Sequence, residues 1–264
     1  MSEEADATRR CPLAPVDRRL DDAHRLWHQA EQSYFDPEEF RLAAQNTIQT
    51  LRTVTFILQS NKRMVPDFDA WYSCWQEKMR EDNLMRWMVD TRNKIEKQGD
   101  LEAHSFVKAD IVASYYDDGP SVNVPAKLFD SIETLFERVP TDAAFRHFIQ
   151  HGTLRVRRRW VENSLPDYEL LEALSIAFGR IAELVFDAHK QMRLPVSHFL
   201  DLGQHQIFDR VSMGWRMPCM IGHEDNRTLL LSLADGTQLG FTHKKCEIDA
   251  KDKPQVRERY GDIH

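Results

Sequence analysis

Glycine is scarce in this chain, with 10 residues among 264. The sequence has no glycine-rich phosphate loop, no nucleophile-elbow serine and no paired carboxylates at a recognisable metal spacing. These absences argue against a nucleotide-binding α/β enzyme. Cysteine is also scarce, and four cysteines in a chain of this length do not predict a disulfide framework. A reducing cytoplasm is therefore the expected location.

Long apolar runs are missing as well, since none approaches the ~18 residues of a membrane-spanning helix. The first residues, MSEEADATRR, are acidic and polar, unlike a secretory signal. The chain also lacks an excess of positive charge. Its net charge of −7 argues against a dedicated electrostatic binder of nucleic acid or of an anionic membrane, although a local basic patch is compatible with it. We expect no membrane partner and no cofactor.

Helical periodicity dominates the first hundred residues, after a flexible tail over residues 1–16. Four amphipathic helices with short links predict an up-and-down bundle over residues 17–101. Asp36 and Asp67 are predicted N-caps, Pro37 follows Asp36 at the first helical position, and Gly99 is expected to end the fourth helix. The aromatic residues of the third and fourth helices have spacings that fit core packing: Trp71, Tyr72, Trp75 and Trp87.

The rest of the chain alternates between strand and helix patterns. Residues 102–125 alternate around a turn signal and predict a β-hairpin, and residues 126–208 predict a second helical region. Residues 209–264 predict a small β module, with a hairpin over 228–241 and a frayed tail. The expected fold class is mainly α with minor β. The predicted helices of the second helical region cover residues 128–135, 145–149, 167–188 and 197–208.

The helix predicted to begin at Asp167 is apolar over a wide arc. Leu171, Leu174, Phe178 and Ile181 follow one another at helical spacing along it. Such a helix belongs either at the centre of a core or at an oligomer contact. A homo-oligomer is therefore expected, formed through this helix or through the N-terminal bundle.

Arg92 lies on the apolar stripe of the fourth helix, between Met88 and Ile95, and is followed by Asn93. This pair and the order of the helices resemble the HEPN superfamily over residues 37–101. HEPN proteins are small helical bundles found in bacterial toxins, antiviral systems and nucleotide-transferase partners. Their motif is an arginine, usually followed by a polar residue, with a histidine four to six positions further on. Members that retain the motif are often metal-independent ribonucleases that act as dimers.

The histidine of that motif is absent here, and Lys97 occupies its commonest position. A lysine of ordinary pKa stays protonated and makes a poor general base, but it can still bind phosphate. The resemblance therefore implies a degenerate, non-cleaving protein in which Arg92, Asn93 and Lys97 line a pocket for RNA, a nucleotide or a protein partner. The alternative is an endoribonuclease of the toxin or antiviral defence type, with His104 or His151 supplying the base.

Three further interpretations stay open. Arg92 can extend from the edge of the stripe and pair with Asp90 or Glu96, as a purely structural residue. The segment 146–151 also has an arginine followed by histidine at the motif spacing. A scaffold whose features are all structural would also fit the acidic composition.

Cysteine and histidine pairs flank the C-terminal hairpin. Three residues separate Cys219 from His223, and two separate His243 from Cys246. The hairpin would bring the two pairs together, and two thiolates with two imidazoles make an acceptable tetrahedral zinc set. Because protein would supply all four ligands, such a zinc would be structural. The alternative is a half-buried cysteine with surface histidines.

A basic run precedes Trp160, from Arg155 to Arg159. Arginine can bind phosphate and tryptophan can stack on a base, so Arg157 and Arg158 are candidate nucleic-acid contacts. The alternative is a solvated face that pairs with acidic neighbours, since the chain has 42 aspartate and glutamate residues.

Overall fold

The computed structural model describes residues 11–112, 121–127, 129–138, 153–194, 208–209, 215–216, 218–220, 228–232 and 238–245. The prediction of a mainly α fold with minor β is confirmed. The helices are α1 (Ala14–Gln32), α2 (Pro37–Ser60), α3 (Phe68–Glu81), α4 (Asn83–Gln98), α5 (Ile132–Glu137) and α6 (Leu170–Gln191). The strands are β1 (Ala103–Val112), β2 (Ser121–Val124), β3 (Thr153–Glu162), β4 (Phe208–Asp209), β5 (Trp215–Arg216), β6 (Thr228–Ser232) and β7 (Gln238–Lys245). Within these residues, no helix is long and apolar enough to cross a membrane.

The chain forms two compact units that differ from the segments predicted from the sequence. One unit comprises Met1–Ala103 and Val161–Gly222, and the other comprises His104–Trp160 and His223–His264. The first contains α1 to α4 together with α6, so the long apolar helix joins the N-terminal bundle. The second contains the strands of both predicted hairpins. The predicted boundaries at residues 125, 126 and 209 therefore do not separate these units.

Helix α6 is the central element of the helical unit. It packs against α1, α2 and α4, and most of its residues are buried. The indole Nε1–H of Trp27 donates to the carbonyl of Leu171 at 2.9 Å, so α1 is attached to the first turn of α6. The core position predicted for this helix is confirmed. Its apolar arc is covered within the chain, and homo-oligomer formation stays a prediction.

Most of the predicted helix ends are confirmed. Asp36 accepts from Glu39 N–H, Pro37 opens α2, and Gly99 ends α4 with a left-handed φ of 89°. Asp67 precedes α3 as predicted, but it forms no side-chain capping bond. Its own backbone is left-handed, with φ 49°, whereas an N-cap residue requires an extended backbone. The cap of α6 is Glu169, not Asp167, and Glu169 accepts from Glu172 N–H at 2.9 Å.

The sheet has the strand order β2-β1-β3-β7-β6. Both predicted hairpins are confirmed, because β1 pairs with β2 and β6 pairs with β7, each antiparallel. Strand β3 pairs with β7 in parallel, which joins the C-terminal hairpin to the rest of the sheet. The sequence did not predict β3, which contains the basic run. Its period of two is nevertheless visible in Val156, Arg158 and Trp160, which are all buried.

Other predicted features are only partly confirmed. The helix expected over 128–135 is the short α5, while the helix over 145–149 lies outside the described residues. So do residues 197–207 of the last predicted helix, and Phe208 at its end begins β4. Tyr72 and Trp87 are buried as predicted, with 7% and 5% exposed. Trp71 and Trp75 are not core residues, because both are only half-buried.

Asp187 of α6 connects the two half-buried indoles of α3 to the core helix. The Nε1–H groups of Trp71 and Trp75 both donate to its Oδ2 atom, each at 2.8 Å. Nearby on the same two helices, Lys78 pairs with Glu183 at 3.2 Å on the surface. The two acidic residues thus offer a matched comparison.

We predict that Asp187→Ala lowers the free energy of unfolding by about 2 kcal/mol, because it removes a charged acceptor shared by two donors. Glu183→Ala should cost about 0.5 kcal/mol or less, as expected of an exposed ion pair. Urea denaturation followed by tryptophan fluorescence measures both changes. Equal losses in the two variants would contradict the special role of Asp187.

Candidate functional site

Helices α2, α3 and α4 border a cleft of about 350 Å³ in the helical unit. Ile181 of α6 also lines the cleft. Among the described lining residues, three arginines outnumber one carboxylate, that of Asp90. The lining residues are Arg52, Thr55, Gln59, Tyr72, Gln76, Met79, Arg80, Met85, Arg86, Met88, Val89, Asp90 and Ile181.

Arg52 is the half-buried cation of this cleft. It donates to Thr55 Oγ1 at 3.0 Å, and its guanidinium lies over the ring of Phe56 at 4.4 Å. Burial lowers the pKa of Arg52, and the charge of Arg92 lowers that pKa further. An arginine nevertheless stays charged in proteins. The cleft therefore contains a partly desolvated positive charge close to a second one.

The other cleft arginines also lack acidic partners in the part of the chain that the structure describes. Arg80 is exposed, and Arg86 donates to Asn83 Oδ1. Within the described residues neither of them forms an ion pair, and Arg52 forms none either. Tyr72 adds a hydroxyl that accepts from Gln59 Nε2 at 3.0 Å, and burial raises the pKa of Tyr72. The cleft is therefore electropositive.

Arg92 of the HEPN-like motif adjoins this cleft without lining it. Its guanidinium is 5.5 Å from the centre of the Phe56 ring, pairs with Glu96 and donates to Asn93 Oδ1 at 3.2 Å. Glu96 is one of the partners that the structural alternative named for this arginine, and the role of the motif stays a prediction. Lys97 is exposed on the last turn of α4. The three motif residues thus lie near one end of α4, and Arg92 is close to the cleft residue Arg52.

Arg158, predicted to contact nucleic acid, is fully buried in the sheet unit. It donates to Ser105 Oγ at 3.3 Å and to the carbonyl of Asp130, and it lies over the ring of Trp160. Alternation along β3 turns this side chain inward, so it is not a surface phosphate ligand.

The side chain of Arg157 is outside the described part. His104 is half-buried in β1, and His151 is outside the described residues.

Cys219 of the predicted zinc set lies against two histidines of α1 that the sequence analysis did not select. Its Sγ atom is 3.1 Å from His24 Nε2, and His24 Nε2 is 3.1 Å from His28 Nε2. The available signal was the spacing of His24 and His28, which places both on one face of a helix. His223, Cys246 and the side chain of His243 lie outside the described residues. The predicted set of four ligands therefore stays a prediction.

The ring of His28 is oriented by an acidic neighbour. Its Nδ1 atom is 2.8 Å from Glu31 Oε2 on the next turn of α1. Hydrogen bonds to Cys219 and Glu31 outweigh the effect of burial and raise the pKa of His28 to about 9. The cluster of His24, His28 and Cys219 brings three ligand atoms within 4.8 Å of one another.

A second cluster joins the start of the chain to the end of α6. His189 Nε2 lies 3.3 Å from Asp17 Oδ2 and 3.6 Å from Cys11 Sγ, while its Nδ1 atom is 2.9 Å from the carbonyl of Val185. Since a carbonyl only accepts, Nδ1 carries a proton, and a second proton on Nε2 allows a bond to the carboxylate. Burial raises the pKa of the Cys11 thiol. An imidazolium–carboxylate ion pair explains this geometry.

Comparison with known proteins gives the family of this chain. The family described as Bacteriophage lambda protein ea47 matches residues 4–263, and the chain belongs to that family. Among curated proteins it is similar to Protein ea47 of Escherichia phage lambda, with 41% identity over 170 residues. The match covers 63% of this chain and 41% of that relative, so the chain spans less than half of the relative's length. No solved structure matches.

We predict that His189 makes the stability of the protein fall as pH rises. Burial opposes protonation, but the hydrogen bond and charge of Asp17 outweigh it and raise the pKa of His189. A histidine whose pKa is raised in the folded state stabilises the protein fully at pH values below its pKa in the unfolded chain, which is about 6.5. That stabilisation is lost as the pH rises through the pKa of the folded state. Among the described residues, the titratable groups Cys11 and Asp17 contact the ring.

Chemical denaturation between about pH 5.5 and about pH 9 tests this prediction against His189→Gln. The unfolding free energy of the wild type should fall relative to that of the variant across this range. His28 titrates in both proteins, so only the difference between the two curves is diagnostic. In a protein that carries Asp17→Asn, adding His189→Gln should change the pH dependence of the unfolding free energy much less. Parallel curves for the wild type and His189→Gln would refute the raised pKa.

Proposed function

We propose that this protein is a non-catalytic binding protein whose cleft between α2, α3 and α4 takes the phosphate groups of RNA or of a nucleotide. The observation that carries the proposal is the set of Arg52, Arg80 and Arg86 around one cleft, with no ion pair among the described residues. Guanidinium groups bind phosphate through paired N–H donors. An anion in the cleft would compensate charges that the described residues leave uncompensated.

Repulsion between two arginines supports the same conclusion. Burial lowers the pKa of Arg52 most, and the charge of the nearby Arg92 lowers that pKa further. Like charges at such a place cost free energy unless an anion lies between or beside them. Glu96 already pairs with Arg92, so a phosphate bound in the cleft would supply the anion that Arg52 lacks among the described residues. The net charge of −7 does not oppose this, because the effect is local.

The edge of the cleft also offers a surface for a base. Phe56 is 40% exposed, and Arg52 already lies over its ring. Bases stack on exposed aromatic rings and on arginine planes with little dependence on sequence. Phosphate contact and stacking together fit a single-stranded nucleic acid or a nucleotide better than inorganic phosphate.

The chemistry of the lining favours binding over cleavage. The described lining residues include no histidine, and Asp90 is their one carboxylate. Burial raises the pKa of Tyr72, so its hydroxyl keeps its proton at neutral pH. A general base needs a pKa near the working pH. We therefore favour the degenerate, non-cleaving form of the HEPN-like hypothesis over an endoribonuclease of the toxin or defence type.

We predict that Arg52→Gln and Arg86→Gln each weaken binding of a fluorescent single-stranded RNA, or of a labelled nucleotide, by about tenfold, as expected for about 1.5 kcal/mol per lost charged hydrogen bond. Each change should also reduce the slope of log affinity against log salt, because one phosphate contact is lost. Arg63→Gln is the matched control, since Arg63 is exposed on the same unit and does not line the cleft. Fluorescence anisotropy at several salt concentrations measures both quantities.

An incubation of the same RNA with the wild type and with Arg92→Ala, without added metal, separates binding from cleavage. Binding of intact RNA supports the proposal. Cleavage that disappears in Arg92→Ala would support the endoribonuclease instead. Failure to bind either RNA or nucleotide, or equal weakening by Arg63→Gln, would rule out the cleft as a phosphate site.

A further inference from the structure

We propose that His24, His28 and Cys219 form a zinc site on α1, with the two imidazoles and the thiolate as ligands. The cluster lies within the helical unit and is separate from the arginine cleft. It shares one residue with the zinc set predicted from the sequence and has two other histidines in place of the remaining three. The inference is independent of the proposed function.

The distances within the cluster are close to those of a tetrahedral zinc ion. Zinc–nitrogen bonds of about 2.0–2.1 Å and zinc–sulfur bonds of about 2.3 Å imply nitrogen pairs about 3.4 Å apart and nitrogen–sulfur pairs about 3.6 Å apart. The two shortest separations are both 3.1 Å, and all three ligand atoms lie within 4.8 Å. Both contacts are a few tenths of an ångström shorter than these separations, so binding of the ion requires the side chains to move slightly apart.

The orientation of His28 is the arrangement that zinc ligands usually show. Its Nδ1 atom faces the carboxylate of Glu31 at 2.8 Å, so Nδ1 is the donor and Nε2 is the atom directed towards the cluster. Histidines bound to metal commonly donate their other N–H to a carboxylate, which fixes the tautomer and strengthens the ligand. Glu31 serves this purpose from one turn away on the same helix.

Rigid packing fixes the positions of the three ligands. His24 and His28 are one helical turn apart on α1, the ring of His24 contacts Phe178 of α6, and Trp27 lies edge-on to His28. Cys219 is carried by a 3₁₀ turn, Pro218–Met220, whose Met220 side chain is 2% exposed. A ligand set on packed elements needs little reorganisation to bind a metal.

Donor chemistry selects zinc among the common divalent ions. Imidazole and thiolate suit zinc, whereas magnesium and calcium prefer carboxylate, carbonyl and water oxygens. The described residues supply three ligands, which leaves one tetrahedral position for water or another group. The neighbouring cluster of Cys11, Asp17 and His189 is different, because a hydrogen-bonded ion pair already accounts for its geometry.

Cobalt(II) titration of the metal-free full chain tests the site, since cobalt replaces zinc and its bond to a thiolate absorbs in the near ultraviolet. We expect one cobalt ion per chain, displaced by zinc. Cys219→Ser should abolish the thiolate band and weaken zinc binding at least tenfold. Cys74→Ser and Cys11→Ser should keep the band, because neither thiol belongs to the cluster.

Glu31→Gln provides a variant that keeps every ligand. It should retain the thiolate band and weaken zinc binding by about tenfold to about a hundredfold, as loss of a partner to a ligating histidine does. Circular dichroism confirms that each variant is folded. The absence of a thiolate band in the wild type, its survival in Cys219→Ser, or its loss in Cys11→Ser with Cys219→Ser unaffected would overturn the proposal.

Discussion

Burial of α6 is the interaction on which the helical unit depends. The helix is apolar around most of its surface, so it must be covered on several sides, and α1, α2 and α4 provide that cover. The bond from Trp27 to the carbonyl of Leu171 fixes the rotation of α1 at a residue that follows His24 by three positions and directly precedes His28. Ile181 of the same helix lines the arginine cleft. Both candidate sites are therefore positioned by one buried helix.

The arginines show how the environment decides what a charged side chain does. Arg158 is fully buried, and it is accommodated because it donates to Ser105 and Asp130 and lies over Trp160. A buried charge of this kind is a structural element, since removing its partners would leave it desolvated and unsatisfied. Arg52 is only half-buried and has a hydroxyl where a carboxylate would be expected. That difference makes the cleft, and not the basic run, the better candidate for binding an anion.

The sequence predicted the features that follow from local pattern. Asp36, Pro37 and Gly99 act where capping rules place them, and the two hairpins form where alternation and turn residues predict them. Contacts between segments that are distant in the sequence could not be predicted from local pattern. No periodicity indicates that β3 pairs with β7, or that a helix beginning at residue 170 completes the N-terminal bundle. Prediction of the histidine–cysteine cluster was limited for the same reason, because the contact between His24 and Cys219 joins residues that are 195 positions apart.

The order of the units along the chain has a consequence for how the protein is made. The helical unit needs residues 161–222, yet the sheet unit interrupts it after Ala103. During synthesis α1, α2, α3 and α4 therefore emerge well before the helix that covers their apolar faces. Non-local contacts of this kind form slowly, and uncovered apolar faces promote aggregation in the interval. The nascent N-terminal bundle is thus the stage at which apolar surface is most exposed, and a chain truncated before residue 170 would lack the helix that covers it.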